Sequence, residues 1–259
     1  MSPRGTAAGR ADDTCPVAVV TGGARGLGAC LAARFFERGH RVAVTDLDGE
    51  GARRTAHGLA PTGDSAIGIE LDVRDRGAFE RALAEVTGRW GTVHVLVNNA
   101  GLSRAEPLME IGPESFRSTV SANMDGAFFG CQVFGGHFAE RGYGRIVNIA
   151  SLAGQNGGTA TGAHYAAAKG AVATLTKVFA RELAPRGVTV NAISPGPLDL
   201  PVVREMLPAE QIERIEQSIP VGRLGLPGFI ADMAVLLAGE EAAAVTGACW
   251  DANGGLHMR

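Results

Sequence analysis

Residues 16–28 read PVAVVTGGARGLG, an apolar run followed at once by a cluster of glycines. Val17 to Val20 form a short, largely β-branched run of the kind found in a parallel strand that is covered on both faces. Leu27, Leu31 and Phe35 then recur every four residues on one face of a helix. The stretch therefore predicts a strand, a tight turn and a helix.

Three glycines, Gly22, Gly26 and Gly28, lie in the predicted turn, with Arg25 and Leu27 between them. Because glycine has no Cβ, such a turn lets backbone N–H groups approach a pyrophosphate, which the dipole of the following helix also favours. The expected ligand is a dinucleotide, and these five residues are predicted to bind it. A turn that only lets strand and helix pack closely is the alternative interpretation.

Further apolar runs alternate with helical stretches along the rest of the chain. This alternation predicts a doubly wound parallel sheet with helices on both faces, a three-layer α/β/α arrangement of the Rossmann type in a single domain. The expected strands cover 41–46, 66–71, 93–97, 145–149, 188–193 and, at one edge, 249–251. The expected long helices cover 75–89, 123–140 and 163–183.

The chain has 259 residues and a formal net charge of −3. This length suits one domain, predicted over 15–259, after a disordered tail over 1–14 and with a substrate lid at about 198–220. The charge gives no field that would attract nucleic acid or an anionic membrane, so neither partner is expected. Without a signal-peptide pattern, a membrane span or metal-ligand spacing among the four cysteines, a cytoplasmic protein without a metal site is expected.

Asp46 ends the second predicted strand, 20 residues after Gly26. An acid at that place is expected to accept hydrogen bonds from an adenosine ribose, and it would repel a 2′-phosphate. Capping the next helix is the alternative role for Asp46, although Asp48 is at least as well placed for it. Arg25 could instead face a 2′-phosphate. We expect NAD as the cofactor, with NADP less favoured.

Tyr165 and Lys169 occur in HYAAAK, and their spacing of four places both on one helical face. A positive charge near a phenol favours the phenolate and lowers its pKa, so Tyr165 could exchange a proton with a secondary alcohol. Ser151 follows a predicted strand at the carboxyl edge of the sheet, where its hydroxyl could hold the reacting oxygen. Asn123 is expected to open a long helix. A packed ring, a solvated amine, a turn serine and an N-cap are their ordinary roles.

The order and spacing of these residues resemble the short-chain dehydrogenase/reductase family from about residue 16 to residue 255. The resemblance implies that Asn123, Ser151, Tyr165 and Lys169 are catalytic. Ser151 would orient the substrate oxygen and Tyr165 would be the acid or base. Lys169 would bind the nicotinamide ribose and lower the pKa of Tyr165, while Asn123 would anchor a water that relays the proton.

The resemblance also implies cofactor contacts outside the glycine turn. They would be made by Asp72, Val73, Asn99, Gly101, Pro195, Gly196 and Leu198. Asp72 would accept from the adenine amino group, although capping the next helix is an equally good role for it. Two features depart from the family pattern: Ser151 and Tyr165 are 14 residues apart where 13 is commoner, and Leu200 stands where many relatives have threonine.

The function implied is an NAD(H)-dependent oxidoreductase that interconverts a secondary alcohol and a ketone of a small-molecule substrate. An NADPH-dependent 3-oxoacyl-[acyl-carrier-protein] or polyketide-type ketoreductase is the alternative, and a nucleotide-sensing protein without turnover is a third. The helices expected over 123–140 and 163–183 are apolar around most of their girth, so a second surface should cover them. Because these helices pair between subunits in the family, a homotetramer or homodimer is expected.

Overall fold

A computed structural model describes residues 15–158 and 161–258 of the chain. Seven parallel strands form one sheet in the order β3-β2-β1-β4-β5-β6-β7. The strands are β1 (Val17–Thr21), β2 (Arg41–Asp46), β3 (Ala66–Glu70), β4 (Val95–Asn98), β5 (Gly144–Ile149), β6 (Val188–Pro195) and β7 (Cys249–Ala252). The predicted parallel sheet is confirmed, with β7 at one edge.

Ten α-helices connect and cover these strands within the described residues. They are α1 (Gly26–Glu37), α2 (Gly49–Leu59), α3 (Arg76–Trp90), α4 (Pro113–Val120), α5 (Gly126–Arg141), α6 (Ala153–Asn156), α7 (Ala163–Leu183), α8 (Pro201–Met206), α9 (Ala209–Ser218) and α10 (Pro227–Ala238). Short 3₁₀ turns cover Leu108–Glu110, Ala184–Arg186 and Glu240–Ala244, and one π-helical turn covers Ser121–Asp125.

Two hydrophobic clusters, one on each face of the sheet, form the core. Ala18 and Val20 of β1 belong to the cluster that includes residues of α1 and α10, whereas Val17 and Val19 belong to the cluster that includes α3 and α5. Successive strand residues point to opposite faces, so one apolar run supplies both clusters. This explains why the strand lacks a polar face, and it confirms the three-layer α/β/α arrangement.

Asn123 does not open a helix, contrary to the prediction. The helical backbone begins at Pro113, whose fixed φ suits a first turn, and it continues through the π-helical turn into α5. Asn123 is the third residue of that π-helical turn and is 1% exposed. The polar sequence of α4 hid this continuity, because only the later part of the helical stretch has the apolar residues from which the boundary was predicted.

The predicted lid segment contains two short helices rather than one. α8 ends at Met206, and α9 begins after Pro208, which has no N–H to continue the preceding helix. Ile212 of α9 packs with Ile219 and Leu224 in a small cluster separate from the main core. The role of the segment as a lid stays a prediction.

Some expectations concern chain features away from the sheet. The tail predicted over 1–14 lies outside the described residues. Over 15–158 and 161–258, no helix combines the length and the apolar character that a bilayer crossing requires. Of the cysteines, Cys131 is buried, while Cys15, Cys30 and Cys249 are half-buried.

Candidate active site

A cleft of about 580 Å³ opens at the carboxyl ends of the central strands. The neighbours β1 and β4 form the point from which the strand order runs in opposite directions, which is where open α/β sheets bind ligands. Among the predicted site residues, the cleft is lined by Gly22, Arg25, Leu27, Gly28, Asp46, Asp72, Val73, Asn99, Gly101, Asn123, Tyr165 and Lys169. The structure thus gathers residues from six separate stretches of the chain at one place.

The glycine turn between β1 and α1 has the shape of a phosphate cradle. Gly22 and Gly26 have φ values of +64° and +59°, which residues with a side chain rarely adopt. A Cβ on Gly28 would overlap the carbonyl oxygen of Gly22, so only glycine lets the helix start this close to the turn. These features fit a pyrophosphate at the N-terminus of α1.

Asp46 is held at the end of β2 by backbone donors. Its Oδ2 accepts from the N–H of Ala24 at 3.0 Å, and its Oδ1 accepts from the N–H of Asp48 at 3.0 Å. Asp48, rather than Asp46, caps α2 by accepting from the N–H of Gly51. Each Asp46 oxygen keeps lone-pair capacity for a further donor, such as a ribose hydroxyl. The exposed Arg25 lines the same cleft.

Asp72 does not cap the helix that follows β3. Asp75 has that role, through its contact with the N–H of Gly77, while Asp72 accepts from Nε and Nη2 of Arg74. The hydrogen bond from the Arg74 side chain lowers the pKa of the Asp72 carboxyl. Asp72 therefore lines the cleft as a carboxylate that Arg74 already neutralises in part.

The two asparagines after β4 differ in their contacts. Asn98 is buried, and its amide donates to Oδ1 of Asn148 on β5 at 2.9 Å. Asn99 lines the cleft, and its amide donates to the carbonyl oxygens of Thr21 and Gly22 at 2.9 and 3.1 Å. Asn98 thus joins neighbouring strands, while Asn99 fixes the glycine turn beside the cleft.

Tyr165 and Lys169 lie together on α7 at the floor of the cleft. The Lys169 Nζ donates to the carbonyl oxygen of Ile149 at 2.7 Å and lies 5.7 Å from the centroid of the Tyr165 ring. Lys169 is only 4% exposed, and this burial lowers its pKa to about 8. Ser151, just beyond β5, is hydrogen-bonded to the Tyr165 side chain.

Asn123 faces the same site with an unused acceptor. Its amide nitrogen donates to the carbonyl oxygens of Leu102 and Thr119, both at 2.8 Å, whereas its Oδ1 is buried without a hydrogen-bond partner among the described residues. A Cβ on Gly101 would overlap that oxygen and would lie 3.5 Å from Lys169 Nζ. The absence of a side chain at Gly101 therefore lets Asn123 Oδ1 approach the backbone closely, near Lys169.

Three predicted cofactor residues at the end of β6 and just after it, Pro195, Gly196 and Leu198, do not line the cleft. The N–H of Gly196 donates to Ala252 of β7, and the carbonyl of Pro195 accepts from Leu152. Leu198 pairs with Gly225. Leu200, where the family often has threonine, does line the cleft.

Sequence reasoning missed several residues of this site. Ser118 and Ala122 line the cleft from the helical stretch before Asn123. Their spacing of four, which places them on one face, is the signal that could have revealed them. Ile149 contacts Lys169 through its backbone carbonyl, so the identity of its side chain could not reveal this contact.

Comparisons with known proteins cover nearly the whole chain. A family model described as Enoyl-(Acyl carrier protein) reductase matches residues 22–257. The chain is 36% identical over 249 residues to a 2-dehydro-3-deoxy-L-rhamnonate dehydrogenase (NAD(+)) of Sphingomonas sp. (strain SKA58), covering 96% of this chain and 97% of the relative. The chain belongs to the short-chain dehydrogenase/reductase family. It is therefore an oxidoreductase that acts on CH–OH or carbonyl groups.

Other relatives in this family have different chemistry. A 3-oxoacyl-[acyl-carrier-protein] reductase of Vibrio cholerae is 37% identical over 243 residues, covering 93% of this chain and 97% of the relative. The solved structure of an actinorhodin polyketide ketoreductase with NADPH is 38% identical, with a TM-score of 0.88, covering 95% of this chain and 98% of that one. Similarity alone thus leaves both dinucleotides and several substrates open.

The net shift of the Tyr165 pKa is upward in the structure. The Lys169 charge was predicted to lower the pKa of Tyr165, but burial raises the pKa of Tyr165 above its usual value, and the hydrogen bond with Ser151 opposes only part of that rise. Desolvation disfavours the charged phenolate more than this neutral partner stabilises it. The Ser151 hydroxyl stabilises the phenolate here, and the predicted contribution of Lys169 stays a prediction.

Proposed function

We propose that the protein is an NAD(H)-dependent oxidoreductase that interconverts a secondary alcohol and a ketone. The observation that carries this proposal is that Tyr165 and Lys169 line the same cleft as Asp46, with Ser151 hydrogen-bonded to Tyr165 and Asp46 held by backbone donors. The glycine cradle and the unused acceptor of Asn123 fit a dinucleotide between them. A bound nicotinamide would supply the hydride acceptor for oxidation and the hydride donor for reduction.

The side chains have distinct tasks in this mechanism. In oxidation, Tyr165 as phenolate accepts the proton of the alcohol, and in reduction the phenol returns a proton to the carbonyl oxygen. The Ser151 hydroxyl hydrogen-bonds the reacting oxygen and so orients the substrate carbon. The pKa of about 8 leaves Lys169 mostly protonated at pH 7, so its ammonium can hold a ribose hydroxyl. Asn123 Oδ1 has the free lone pair needed to anchor a relay water.

The activity is tested with a panel of secondary alcohols, sugar acids and 3-oxoacyl thioesters, each assayed with both dinucleotides. Binding of NADH is measured separately through its fluorescence. Turnover of at least one compound supports the oxidoreductase proposal. Tight binding of NADH without turnover of any compound would favour the nucleotide-sensing alternative.

Cofactor choice gives the first testable prediction. We expect kcat/KM with NAD(H) to exceed that with NADP(H) by at least about tenfold, which corresponds to ~1.4 kcal/mol. A 2′-phosphate near the Asp46 carboxylate would be repelled by a like charge. The repulsion between unit charges ~4 Å apart is about 4 kcal/mol at an effective dielectric constant of 20. A pairing of that phosphate with the exposed Arg25 would return only ~0.2 to 1 kcal/mol.

The Asp46→Asn variant should narrow that preference, because it removes the charge with little change in shape. Glu70→Gln is the matched control: Glu70 lies opposite Asp46 in the β2–β3 register and does not line the cleft. Its preference should stay unchanged. Equal or better use of NADPH by the unaltered enzyme would contradict the assignment and would favour the 3-oxoacyl or polyketide-type ketoreductase.

Assembly into a homotetramer or homodimer is a further proposal. Phe128 of α5 and Val178 of α7 are 37% and 46% exposed, and the ring of Phe128 packs on Phe179 of α7. A second copy covering these two helices would bury this apolar surface. Light scattering at micromolar concentration should give a mass at least twice the 26.7 kDa of the chain. Phe128→Glu should lower it, and a monomeric unaltered chain would refute the proposal.

A further inference from the structure

Three polar side chains meet next to the catalytic residues without a role in the mechanism above. Ser115 of α4 donates from Oγ to Oε1 of Glu106 at 2.6 Å. The Nε2 of His164, the residue before Tyr165, lies 3.5 Å from Ser115 Oγ and 3.8 Å from Glu106 Oε1. His164 is fully buried. We call this group the His164 cluster; its members are His164, Glu106 and Ser115.

The His164 cluster joins three separate parts of the chain. Glu106 lies in the segment 102–107 after β4, Ser115 lies in the first turn of α4, and His164 is the second residue of α7. Segment 102–107 has no helix or strand, and most of its residues are exposed. Its position therefore depends on a few contacts, since a segment with little burial and no ladder of hydrogen bonds opens easily.

The first half of segment 102–107 forms part of the cleft wall and contacts Asn123. Leu102, Ser103 and Arg104 all line the cleft together with Tyr165. Three carbonyl oxygens of the segment accept hydrogen bonds: that of Leu102 from the Asn123 side chain, that of Arg104 from the N–H of Gly162 at 2.9 Å, and that of Pro107 from the N–H of Glu110 at 2.9 Å. The His164 cluster adds to these three a contact through a side chain of the segment, Glu106.

The imidazole of His164 also fills the space against Gly162. A Cβ on Gly162 would lie 2.5 Å from Nδ1 of His164 and 2.9 Å from the carbonyl oxygen of Arg104. The ring thus packs on the same residue whose N–H holds Arg104. Because Ser115 gives its proton to Glu106, we assign the Nε2–H tautomer to His164, with Ser115 and Glu106 as the acceptors it faces.

We propose that His164, Glu106 and Ser115 are positioning residues that hold segment 102–107, and with it Arg104, as the substrate-side wall of the cleft. The proposal rests on the proposed function, since it assigns that wall to substrate binding. The cleft residues around Gly22 and Asp46 lie on other elements, so loss of the cluster affects the substrate and spares the dinucleotide. This separation distinguishes positioning from general structural support.

His164→Ala and His164→Gln test the cluster, because glutamine can place an N–H near the position of Nε2. We expect His164→Ala to raise the substrate KM by about tenfold or more, in line with the loss of a buried polar contact. His164→Gln should keep most of the affinity. The Kd for NADH, measured by fluorescence, should change by less than about twofold in both variants, which corresponds to ~0.4 kcal/mol or less. The reason is that the cleft residues around Gly22 and Asp46 lie on other elements.

Hydrogen exchange of the unaltered chain and its variants provides a readout that does not need turnover. The amide of Gly162 should exchange about tenfold faster or more in His164→Ala, since its bond to Arg104 opens more often. Glu106→Ala and Ser115→Ala should have the same effect and carry the test if His164→Ala fails to fold. A catalytically inactive enzyme that shows these exchange changes would count against the proposed function and not against the cluster.

His137→Ala is the matched control, a half-buried histidine that contacts Thr92 at the opposite edge of the sheet. It should leave both KM and exchange at Gly162 unchanged. Unchanged KM and exchange in His164→Ala would overturn the proposal. An equal loss of affinity for NADH and for substrate would overturn it as well, because it would make the cluster a general support of the fold.

Discussion

Tyr165→Phe is expected to lower kcat by about 10²-fold or more, because general acid–base transfer contributes on the order of 10² to 10⁴. The phenylalanine keeps the ring beside Lys169 and removes only the hydroxyl that is hydrogen-bonded to Ser151. The fold and the Kd for NADH should therefore stay near those of the unaltered enzyme. Steady-state kinetics and NADH fluorescence measure the two quantities separately.

The other tyrosine of the chain, Tyr143, supplies the control for this substitution. It precedes β5 and contacts the ring of His94 and the guanidinium of Arg145, at the edge of the sheet away from the cleft. Tyr143→Phe should leave kcat within about twofold, since it touches no reacting group. Near-normal turnover in Tyr165→Phe would remove Tyr165 from the mechanism.

Lys169→Met is expected to abolish most turnover and yet to stabilise the fold at pH 7. Burial lowers the Lys169 pKa from 10.5 to about 8, which corresponds to a cost of about 3 kcal/mol for keeping the buried group charged. Methionine has a similar length and no charge, and it loses only the hydrogen bond to Ile149, worth ~1 kcal/mol. A net gain of about 1 to 3 kcal/mol in the free energy of unfolding is expected.

This gain should depend on pH in a defined direction. Between about pH 8 and pH 10.5 the unfolded chain binds more protons at this lysine than the folded chain does. The unaltered protein therefore gains stability from this group as pH rises through that window, and the advantage of Lys169→Met shrinks. Urea unfolding at pH 7 and pH 10, without added nucleotide, measures the difference.

Lys177, the other lysine of the chain, is the matched control. It lies eight residues further along α7 and is exposed, so Lys177→Met should show no comparable change between pH 7 and pH 10. If Lys169→Met were less stable than the unaltered protein at both pH values, the ammonium would be better solvated inside the fold than its burial indicates.

Stability and function therefore oppose each other at Lys169. A buried ammonium with one hydrogen-bond partner among the residues that the structure describes is unfavourable for folding, but it places a positive charge beside Tyr165 and Asn123. The same holds for Asn123, whose buried Oδ1 has no partner in the described part of the chain. Unfavourably buried polar groups of this kind are common at the sites where proteins bind ligands.

Features that depend on neighbouring residues could be predicted from the sequence. The apolar run before Gly22 and the alternation of strands and helices predicted the parallel sheet. Burial on both faces and helical periodicity both leave a pattern in consecutive residues of the sequence. Helix α7 has the predicted bounds, 163–183, and its i to i+4 geometry places Tyr165 beside Lys169. Asp48, not Asp46, caps α2, as its position indicated.

Features that depend on distant contacts required the tertiary structure. The sign of the Tyr165 pKa shift follows from burial by several elements, and only the structure shows that Asp75 caps α3 while Asp72 pairs with Arg74. The place of Asn123 inside a continuous helical stretch depends on packing that its polar neighbours do not reveal. The His164 cluster joins residues 49 positions apart, Ser115 and His164, whose spacing carries no periodic signal. Local sequence determines which elements form, whereas the solvation and partners of a side chain depend on where the other elements pack.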